Sequence, residues 1–454
     1  MEFWCLDRME NSDFFQTSRC RRMQSSAPNA FYNRAMGTNG EPFGSRVGPQ
    51  TARFGNWTAP SAGIRCYAGH RMGAVLNLRF NSIPKNPRNF IKLHSLTCKS
   101  FTHMDIVNPL QTHVVTLSSN NKLTLWRAHD GVEDAVLVVH ESAKILVTNP
   151  CLPYAALGRT DGVLHLVNLY DTQNISDLVK FRLSDQPINF ITFPQSGRYI
   201  AASNLESGEL FVISGSVGSK MDILYYIDIR HQCAMLTCME VGSDVRIATL
   251  MVTDDTYLAG DRLLCYTLPK HPEKALFSQK YYLNMNRLYK NVCYCNDVPG
   301  ATLIFAVPHM SRVIHVLDYS HNKSWAVILK RVKASGHQLR NINFRIDEYH
   351  TVSCGMDGII CAHEVGAKGK PITFVVPHHR MDNGVQNAIM DYQRKRIVSM
   401  GRDGTLVSSG LPWCGDEETE IRKQKAEEFM NNPETRAMFM ERKTEGYFDE
   451  GPMV

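Results

Sequence analysis

Between residues 89 and 411 the chain alternates short apolar runs with polar turns. Runs rich in Val, Ile, Leu, Phe and Thr lie at 113–117, 123–126, 163–167, 189–193 and 313–317. Many short runs of this kind, separated by turn residues, predict strands of an all-β sandwich, barrel or propeller. Long helical periodicity is missing from this region, which argues against an α/β sheet with helical crossovers.

Asp-Gly pairs recur along this region and decide among the all-β folds. Asp161-Gly162, Asp357-Gly358 and Asp403-Gly404 each stand between two strand-like runs, where a tight hairpin needs positive φ. The interval from Asp357 to Asp403 is 46 residues, and the interval from Asp161 to Asp357 is 196, or four steps of about 49. A period of about 40–50 residues with four strands per unit predicts a β-propeller.

Seven such units fit between residues 90 and 411. Their inner strands are predicted to start near Phe101, Ala143, Pro187, Ala234, Tyr289, Leu339 and Val385. The seventh unit ends near Leu411 without an outer strand, so an earlier segment should supply it. Residues 90–94 are one candidate and residues 75–80 are the other. We expect the ring to fold only when closed, because the apolar faces of one unit can be buried only against neighbouring units.

The two ends of the chain have a different texture. Residues 1–60 are rich in Ser, Asn, Gly, Pro and Arg without a sustained period, which predicts a disordered leader. The propeller is expected over 61–414, with strands clearest from about residue 90, and a charged helical tail over 415–454. Asn432 and Pro433 fit the N-cap and first position of a second tail helix. Helices this short are marginal alone, so they should dock on the propeller or on a partner.

Three stretches resemble the WD40-repeat family. Residues 119–126, which end in Trp126, resemble its strand–turn–strand unit, and Gly336-His337 followed by 353–358 resembles its Gly-His to Asp-Gly module. His378-His379 with 399–406 repeats that module. The resemblance implies a hydrogen-bond chain that locks each blade. Its members here would be His337, Ser353 and Asp357 in one blade, His379, Ser399 and Asp403 in the next, and Trp126 in a third.

This sequence also departs from the family pattern. Arg127 stands where the family has an Asp after the Trp, and the strands near Val163, Val313, Ile359 and Leu406 lack that Trp. Several blades are therefore expected to be held by packing alone.

Composition narrows the class of protein. The chain has 454 residues, 43% hydrophobic and 21% charged, and no apolar run approaches the roughly 18 residues of a membrane helix. Its 13 cysteines are scattered without metal-finger spacing, as expected for reduced thiols in a cytoplasmic protein. We find no phosphate-binding loop, nucleophile elbow or zinc-protease motif, and therefore predict no enzyme, no cofactor and no metal.

Charge is unevenly distributed. The segment from Gly415 to the end carries eleven acids and six bases, −5, which leaves +11 for the rest of a chain whose total is +6. In WD40 blades the loop entering a blade and the turn before its third strand share one face. By that resemblance, seven basic residues would form a partner-binding face for an acidic peptide, a tubulin tail or a phosphate backbone. They are Arg159, Lys330, Arg331, Lys333, Arg340, Arg380 and Arg402.

These features predict a non-catalytic protein-interaction scaffold. A degenerate propeller followed by a charged helical tail is similar to the WD-repeat proteins of cilia and flagella. That resemblance implies a place in an axoneme or another microtubule-associated assembly. The alternative is an RNA-associated propeller in a ribonucleoprotein or ribosome-assembly complex, which the same basic face motivates.

Overall fold

The computed structural model describes 2–6, 65–69, 75–79, 91–92, 101–410 and 416–440. Gaps within 101–410 lie at 216, 218–220, 242–243, 252–261, 271–278, 285–288, 295–302, 309, 319–326, 334–336, 338, 340–341, 348–349, 365–372, 376, 379–382 and 392–395.

The first strands form a three-stranded antiparallel sheet: β1 Glu2–Leu6, β2 Arg65–Gly69 and β3 Val75–Arg79. The strand β4, Ile91–Lys92, belongs to a different sheet. Five residues of the predicted disordered leader, Glu2–Leu6, thus form a strand, and the rest of residues 1–60 lies outside the described residues.

Seven four-stranded antiparallel sheets follow, and we call them blades 1 to 7. Blade 1 consists of β5 Phe101–Ile106, β6 His113–Ser118, β7 Lys122–Arg127 and β8 Glu133–Val138. Blade 2 consists of β9 Ala143–Thr148, β10 Tyr154–Arg159, β11 Val163–Asn168 and β12 Ser176–Arg182. Blade 3 consists of β13 Ile188–Thr192, β14 Tyr199–Asn204, β15 Glu209–Ser214 and β16 Ile223–Asp228. Blade 4 consists of β17 Cys233–Val241, β18 Asp244–Met251, β19 Arg262–Pro269 and β20 Gln279–Asn284. Blade 5 consists of β21 Tyr289–Tyr294, β22 Leu303–Pro308, β23 Val313–Asp318 and β24 Val327–Lys333. Blade 6 consists of β25 Asn343–Asp347, β26 His350–Cys354, β27 Ile360–Glu364 and β28 Thr373–Val375. Blade 7 consists of β29 Val385–Asp391, β30 Arg396–Gly401, β31 Leu406–Gly410 and the early strand β4.

The blades close into a ring, so the fold is a seven-bladed β-propeller. The first strand of each blade contacts the first strand of the next, and the first strand of blade 7 contacts that of blade 1. The early strand β4 completes blade 7, with Lys92 opposite Val407 and Ile91 opposite Ser408. The predicted closure by residues 90–94 is confirmed. The alternative candidate was wrong, because Val75–Arg79 pairs with β2 instead.

The predicted starts of the inner strands agree with the structure at six of seven blades to within one residue. The exception is Leu339, four residues before β25. The Leu339 amide donates a hydrogen bond to Asp357 Oδ2 at 3.1 Å, so this residue belongs to the loop that enters blade 6.

Burial explains why the strand signal is clear in the sequence. The middle strands β6, β10 and β11 are buried on both faces, because each lies between two neighbouring blades. Outer strands such as β12 are only partly buried. One cluster joins Leu164 of blade 2 to Ile200 and Phe211 of blade 3. Each such side chain contributes about 1.5–3 kcal/mol when fully buried, which binds the blades to one another.

Two helices end the described chain, α1 Asp416–Asn431 and α2 Pro433–Met440. The Asn432 side chain accepts a hydrogen bond from the Glu434 amide at 2.9 Å, and Pro433 opens α2. The predicted cap is therefore confirmed. Within the described ranges, no helix has both the length and the apolar character needed to cross a membrane.

Candidate interaction surfaces on the propeller

Because neighbouring strands are antiparallel, the loops of every blade leave at two opposite ends. We call one end the upper face: it carries the loops that enter each blade and the turns between second and third strands. The lower face carries the other loops. The residues that lock the blades and the residues exposed on each face decide what the ring can bind.

In blade 6 a buried histidine ties the entering loop to the second strand and to the turn that follows it. His337 lies 3.0 Å from Ser353 Oγ through Nε2 and 3.2 Å from Asp357 Oδ1 through Nδ1. Burial opposes ionisation of Asp357, but hydrogen bonds from His337 and from two backbone amides outweigh it and lower the pKa of that carboxyl. All three residues implied by the resemblance meet at this lock.

In blade 7 the histidine that contacts Ser399 is His378, with Nε2 2.9 Å from Oγ. The sequence prediction named His379, which lies outside the described residues, so the lock is corrected by one position. Asp403 is reached indirectly, since Thr405 Oγ1 lies 3.1 Å from His378 Nδ1 and donates to Asp403 Oδ1 at 2.7 Å. A Cβ on Gly401 would lie 2.4 Å from His378 Nδ1, so only glycine leaves room for this ring.

Blade 1 uses a tryptophan instead. Trp126 is buried and donates from Nε1 to Thr116 Oγ1 at 2.8 Å. Arg127, which replaces the family's Asp, donates to both carboxylate oxygens of Asp134. His113 Nε2 lies 2.8 Å from the same carboxylate, so an ion-pair cluster occupies this corner of the blade.

Blades 2 and 3 also carry polar locks, which corrects the expectation that packing alone holds the blades without the tryptophan. Ser184, in the loop entering blade 3, donates to Glu209 Oε2, and Asn204 donates to the same oxygen at 2.6 Å. In blade 2, His165 Nε2 lies 2.7 Å from Asp177 Oδ1. A polar residue just before an inner strand is the signal that could have revealed the lock of blade 3.

The described members of the predicted basic face do not all lie exposed on the upper face. Arg159 is buried, and its guanidinium binds Asp161 through two hydrogen bonds of 2.5 and 3.0 Å. Arg159 is therefore not available to a partner, because the Asp161 carboxylate already neutralises its charge. Arg402 is exposed in the upper turn of blade 7.

Three more of the predicted basic residues lie on one outer strand. Lys330, Arg331 and Lys333 belong to β24, the outermost strand of blade 5. Lys330 lies opposite Val316 and Arg331 opposite His315, so both belong to the rim of the ring and not to its upper face. The remaining two, Arg340 and Arg380, lie outside the described residues.

An exposed apolar pair lies on the upper face between blades 5 and 6. Met310 is 59% exposed and Leu339 is 48% exposed. Their loops are tied together, because Arg312 Nη1 donates to the His337 carbonyl at 3.0 Å and the Ile342 amide donates to the Ser311 carbonyl at 3.3 Å.

Met310 has an unusual backbone. Its φ is +52°, whereas the positive-φ residue in the corresponding turns of blades 1, 2, 3, 6 and 7 is Asn121 or a glycine. The left-handed region costs a non-glycine residue about 1 kcal/mol or more.

The lower face receives the C-terminal helices. Phe439 of α2 is buried in the cluster between blades 2 and 3 and stacks on Tyr170 at 5.6 Å. Asn168 donates to the Phe439 carbonyl and the Tyr170 hydroxyl to the Met430 carbonyl, both at 2.8 Å. The sequence left open whether the tail helices dock on the propeller or on a partner, and α2 docks on the propeller. Most of the described side chains of α1 are exposed.

An ion pair spans the central channel towards the lower face. Asp105 of blade 1 is buried, and its Oδ1 accepts a hydrogen bond from Arg345 of blade 6 at 2.9 Å. Its Oδ2 accepts one from the Thr148 amide of blade 2 at 2.9 Å. One carboxylate therefore links three blades. In the described part of the chain, no three His, Cys, Asp or Glu side chains are grouped so that they could hold a metal ion.

No family model matches the chain. The chain is 21% identical over 166 residues to cilia- and flagella-associated protein 43 of Mus musculus; the aligned part is 37% of this chain and 10% of the mouse protein. The chain thus spans about a tenth of the length of this relative.

Solved structures with a similar fold include two of Sqt1. The Chaetomium thermophilum protein, bound to the N-terminus of ribosomal protein L10, has 15% identity and a TM-score of 0.47, with 78% of this chain and 91% of that chain covered. The Saccharomyces cerevisiae protein has 11% identity and a TM-score of 0.47, with 77% and 91% covered.

Proposed function

We propose that the protein is a non-catalytic scaffold that binds a protein partner on its upper face. The observation that carries the proposal is the exposed pair Met310 and Leu339, which the blade 6 lock and the cross-loop hydrogen bonds hold in place. Exposed apolar residues on a rigid frame are typical of the central contacts of protein interfaces. The lower face, in contrast, is partly covered by α2.

Charge suggests the chemistry of the partner. Arg402 is exposed on the upper face, and the body of the chain is +11 while the tail is −5. An acidic segment that carries an apolar anchor residue would complement both the arginine and the apolar pair. Acidic peptides of this kind include the tails of tubulin.

The cellular setting we propose is a ciliary or flagellar axoneme, or another microtubule-associated assembly. The support is the sequence similarity to the mouse cilia- and flagella-associated protein, together with the order of a propeller followed by charged helices. Assembly with axonemal partners is expected to use the upper face described here.

Co-sedimentation with microtubules tests the proposal. The double variant Met310→Asp with Leu339→Asp should reduce the bound fraction at least tenfold, and so should proteolytic removal of the acidic tubulin tails. Val136→Asp is the matched control, because Val136 is 41% exposed but lies on the rim of blade 1. Binding that is unchanged by the double variant, or equally reduced by the control, would contradict the upper-face site.

The RNA-associated alternative is favoured by one observation, the three basic residues on the rim strand β24. Retention on single-stranded RNA should then fall steeply with salt, because phosphate contacts release counterions. Charge reversal at Lys330, Arg331 and Lys333 separates the two functions. It should abolish RNA retention while the microtubule binding of the upper face persists.

A further inference from the structure

The two ends of the propeller sequence meet at blade 7, and we call this junction the seam. It comprises the pairing of β31 with β4 and the packing of blade 7 on blade 1. In the described part of the chain, β4 pairs with β31 at two positions, whereas the outer strands of blades 1 to 5 pair with their neighbours at five or six. Fewer backbone hydrogen bonds therefore hold the outer edge of the seam.

The inner side of the seam is fastened by side chains. Phe101 and Met104 of blade 1 lie in one apolar cluster with Ile389 of blade 7. The Gln386 side chain of blade 7 donates to the Thr102 carbonyl of blade 1 at 2.9 Å. The seam is thus firm near the channel and weak at the rim, so we expect opening to begin with β31, the last strand of the propeller sequence.

The tail leaves blade 7 and is fastened two blades further on. The strand β31 ends at Gly410 on the lower face, and α1 begins at Asp416. The 16 residues of α1 span about 24 Å. At the far end of α1, Tyr170 of blade 2 donates its hydroxyl to the Met430 carbonyl at 2.8 Å. Because blade 1 lies between blades 7 and 2 in the ring, α1 crosses the seam on the lower face.

Blade 2 completes the ends of both tail helices. The last carbonyls of a helix have no partner within it, and a basic side chain or a following glycine often supplies one. Neither helix has a basic residue in its last turn, and glycine follows neither. Instead, Tyr170 donates to the Met430 carbonyl of α1 and Asn168 to the Phe439 carbonyl of α2. Together with the buried Phe439 ring, these bonds fix the far end of the tail.

We propose that the tail is a strap that holds the seam closed. With Phe439 in its pocket, α1 ties the end of β31 to blade 2, so β31 cannot move far unless α2 leaves the pocket as well. A state with β31 detached and the tail still docked is a closed loop, which has less conformational entropy than a free chain end. Docking of α2 on blades 2 and 3 therefore opposes the opening of blade 7, as a cross-link between distant strands would.

Hydrogen exchange of the full chain, measured by mass spectrometry, tests the strap. Phe439→Ala should release α2 and raise the exchange rate of the β31 amides at least tenfold, with blades 4 and 5 unchanged. Met440→Ala is the matched control and should leave β31 at the wild-type rate, because Met440 is half exposed. If Phe439 only packs locally, its removal should speed exchange in blades 2 and 3 and in the tail but not in β31. That result would overturn the proposal.

A second variant lengthens the strap without changing the pocket. Twenty Gly and Ser residues inserted between Gly410 and Asp416 double the length of chain from Gly410 to Met430. Doubling a loop makes its closure about threefold less probable, so the β31 amides should exchange about threefold faster. The α2 amides should keep their wild-type protection. An unchanged rate in β31, or a rise shared by every blade, would contradict the strap.

Discussion

At the residue scale, buried histidines fix where the chain enters a blade. His337 and His378 occupy the same position in blades 6 and 7, each within 3.0 Å of a serine hydroxyl on the neighbouring strand. Burial lowers the pKa of His378, against the attraction of Asp403, which favours the neutral form of this ring. A neutral imidazole can donate from one nitrogen and accept at the other, which is what a chain of hydrogen bonds requires.

Replacing His378 tests the corrected lock. His378→Ala leaves the hydroxyls of Ser399 and Thr405 buried without this partner, and we expect a loss of about 1–3 kcal/mol in the free energy of unfolding. His379→Ala is the matched control from the adjacent position and should cost less than about 0.5 kcal/mol. Urea unfolding of both variants makes the comparison. A larger loss at His379 would restore the original assignment.

His103 predicts how stability depends on pH. Burial lowers its pKa from 6.5 to about 4, and its Nδ1 has no hydrogen-bond partner among the described residues. The unfolded chain therefore takes up a proton first, and stability is lost as pH falls from about 6.5 to about 4, by up to about 3 kcal/mol. The urea midpoint should fall over this window and fall less in His103→Gln. Equal slopes would exclude this histidine as the cause.

The carboxylates act in a lower pH range, which keeps the two effects apart. The pKa of Asp357 is already below its ordinary value in the folded state. Its stabilising contribution is complete above the unfolded pKa of 3.8 and is lost only as pH falls through the lowered value.

The kinds of residue that lock the blades could be predicted from the sequence better than their exact positions. The Gly-His and Asp-Gly pairs identified His337 and Asp357, but two adjacent histidines in a loop could not be told apart, because either can reach Ser399 when the loop path is unknown. Arg159 was misjudged for a similar reason: only the fold shows that Asp161 lies within 2.5 Å of its guanidinium.

At the element scale, the tail helix α2 depends on a pocket assembled by two blades. Phe439 packs against residues of blades 2 and 3 and stacks on Tyr170. The apolar stripe of the tail could be read from the sequence, but the surface on which it docks could not. The residues of that pocket lie about 270 positions earlier in the chain.

Phe439→Ala should release the tail. Removal of a buried phenyl ring costs about 3–5 kcal/mol, more than a short helix can supply on its own. We expect faster amide exchange and faster proteolysis of residues 433–440, with the propeller still folded. Met440→Ala is the control, since Met440 is half exposed at the end of α2. Equal exchange in both variants would argue against docking through Phe439.

The strands were the most predictable elements. Middle strands are buried on both faces, so their apolar runs are continuous and easy to recognise. The error at Leu339 arose because this apolar residue belongs to the loop that enters blade 6, where its amide is tied to Asp357. The locks of blades 2 and 3 were missed because they use Ser184, Asn204 and Asp177 in place of the family's residues.

At the scale of the whole molecule, closure joins the two ends of the propeller sequence. The strand β4 pairs with β31 across more than 300 residues, and Asp105 with Arg345 joins blades 1 and 6 across the channel. The closing strand could be predicted from the missing fourth strand of blade 7. The channel ion pair could not, because it depends on which inner-strand residues face each other.

A disulfide between the paired strands tests the closed ring most directly. Lys92 and Val407 lie opposite each other, and directly opposed strand residues are within the Cα distance that a disulfide spans. Lys92→Cys with Val407→Cys should form, under mild oxidation, a disulfide that mass spectrometry assigns to these two positions. Asn77→Cys with Val407→Cys should not form one, because residue 77 belongs to β3. A bond in the second pair, or none in the first, would contradict a ring closed by Ile91–Lys92.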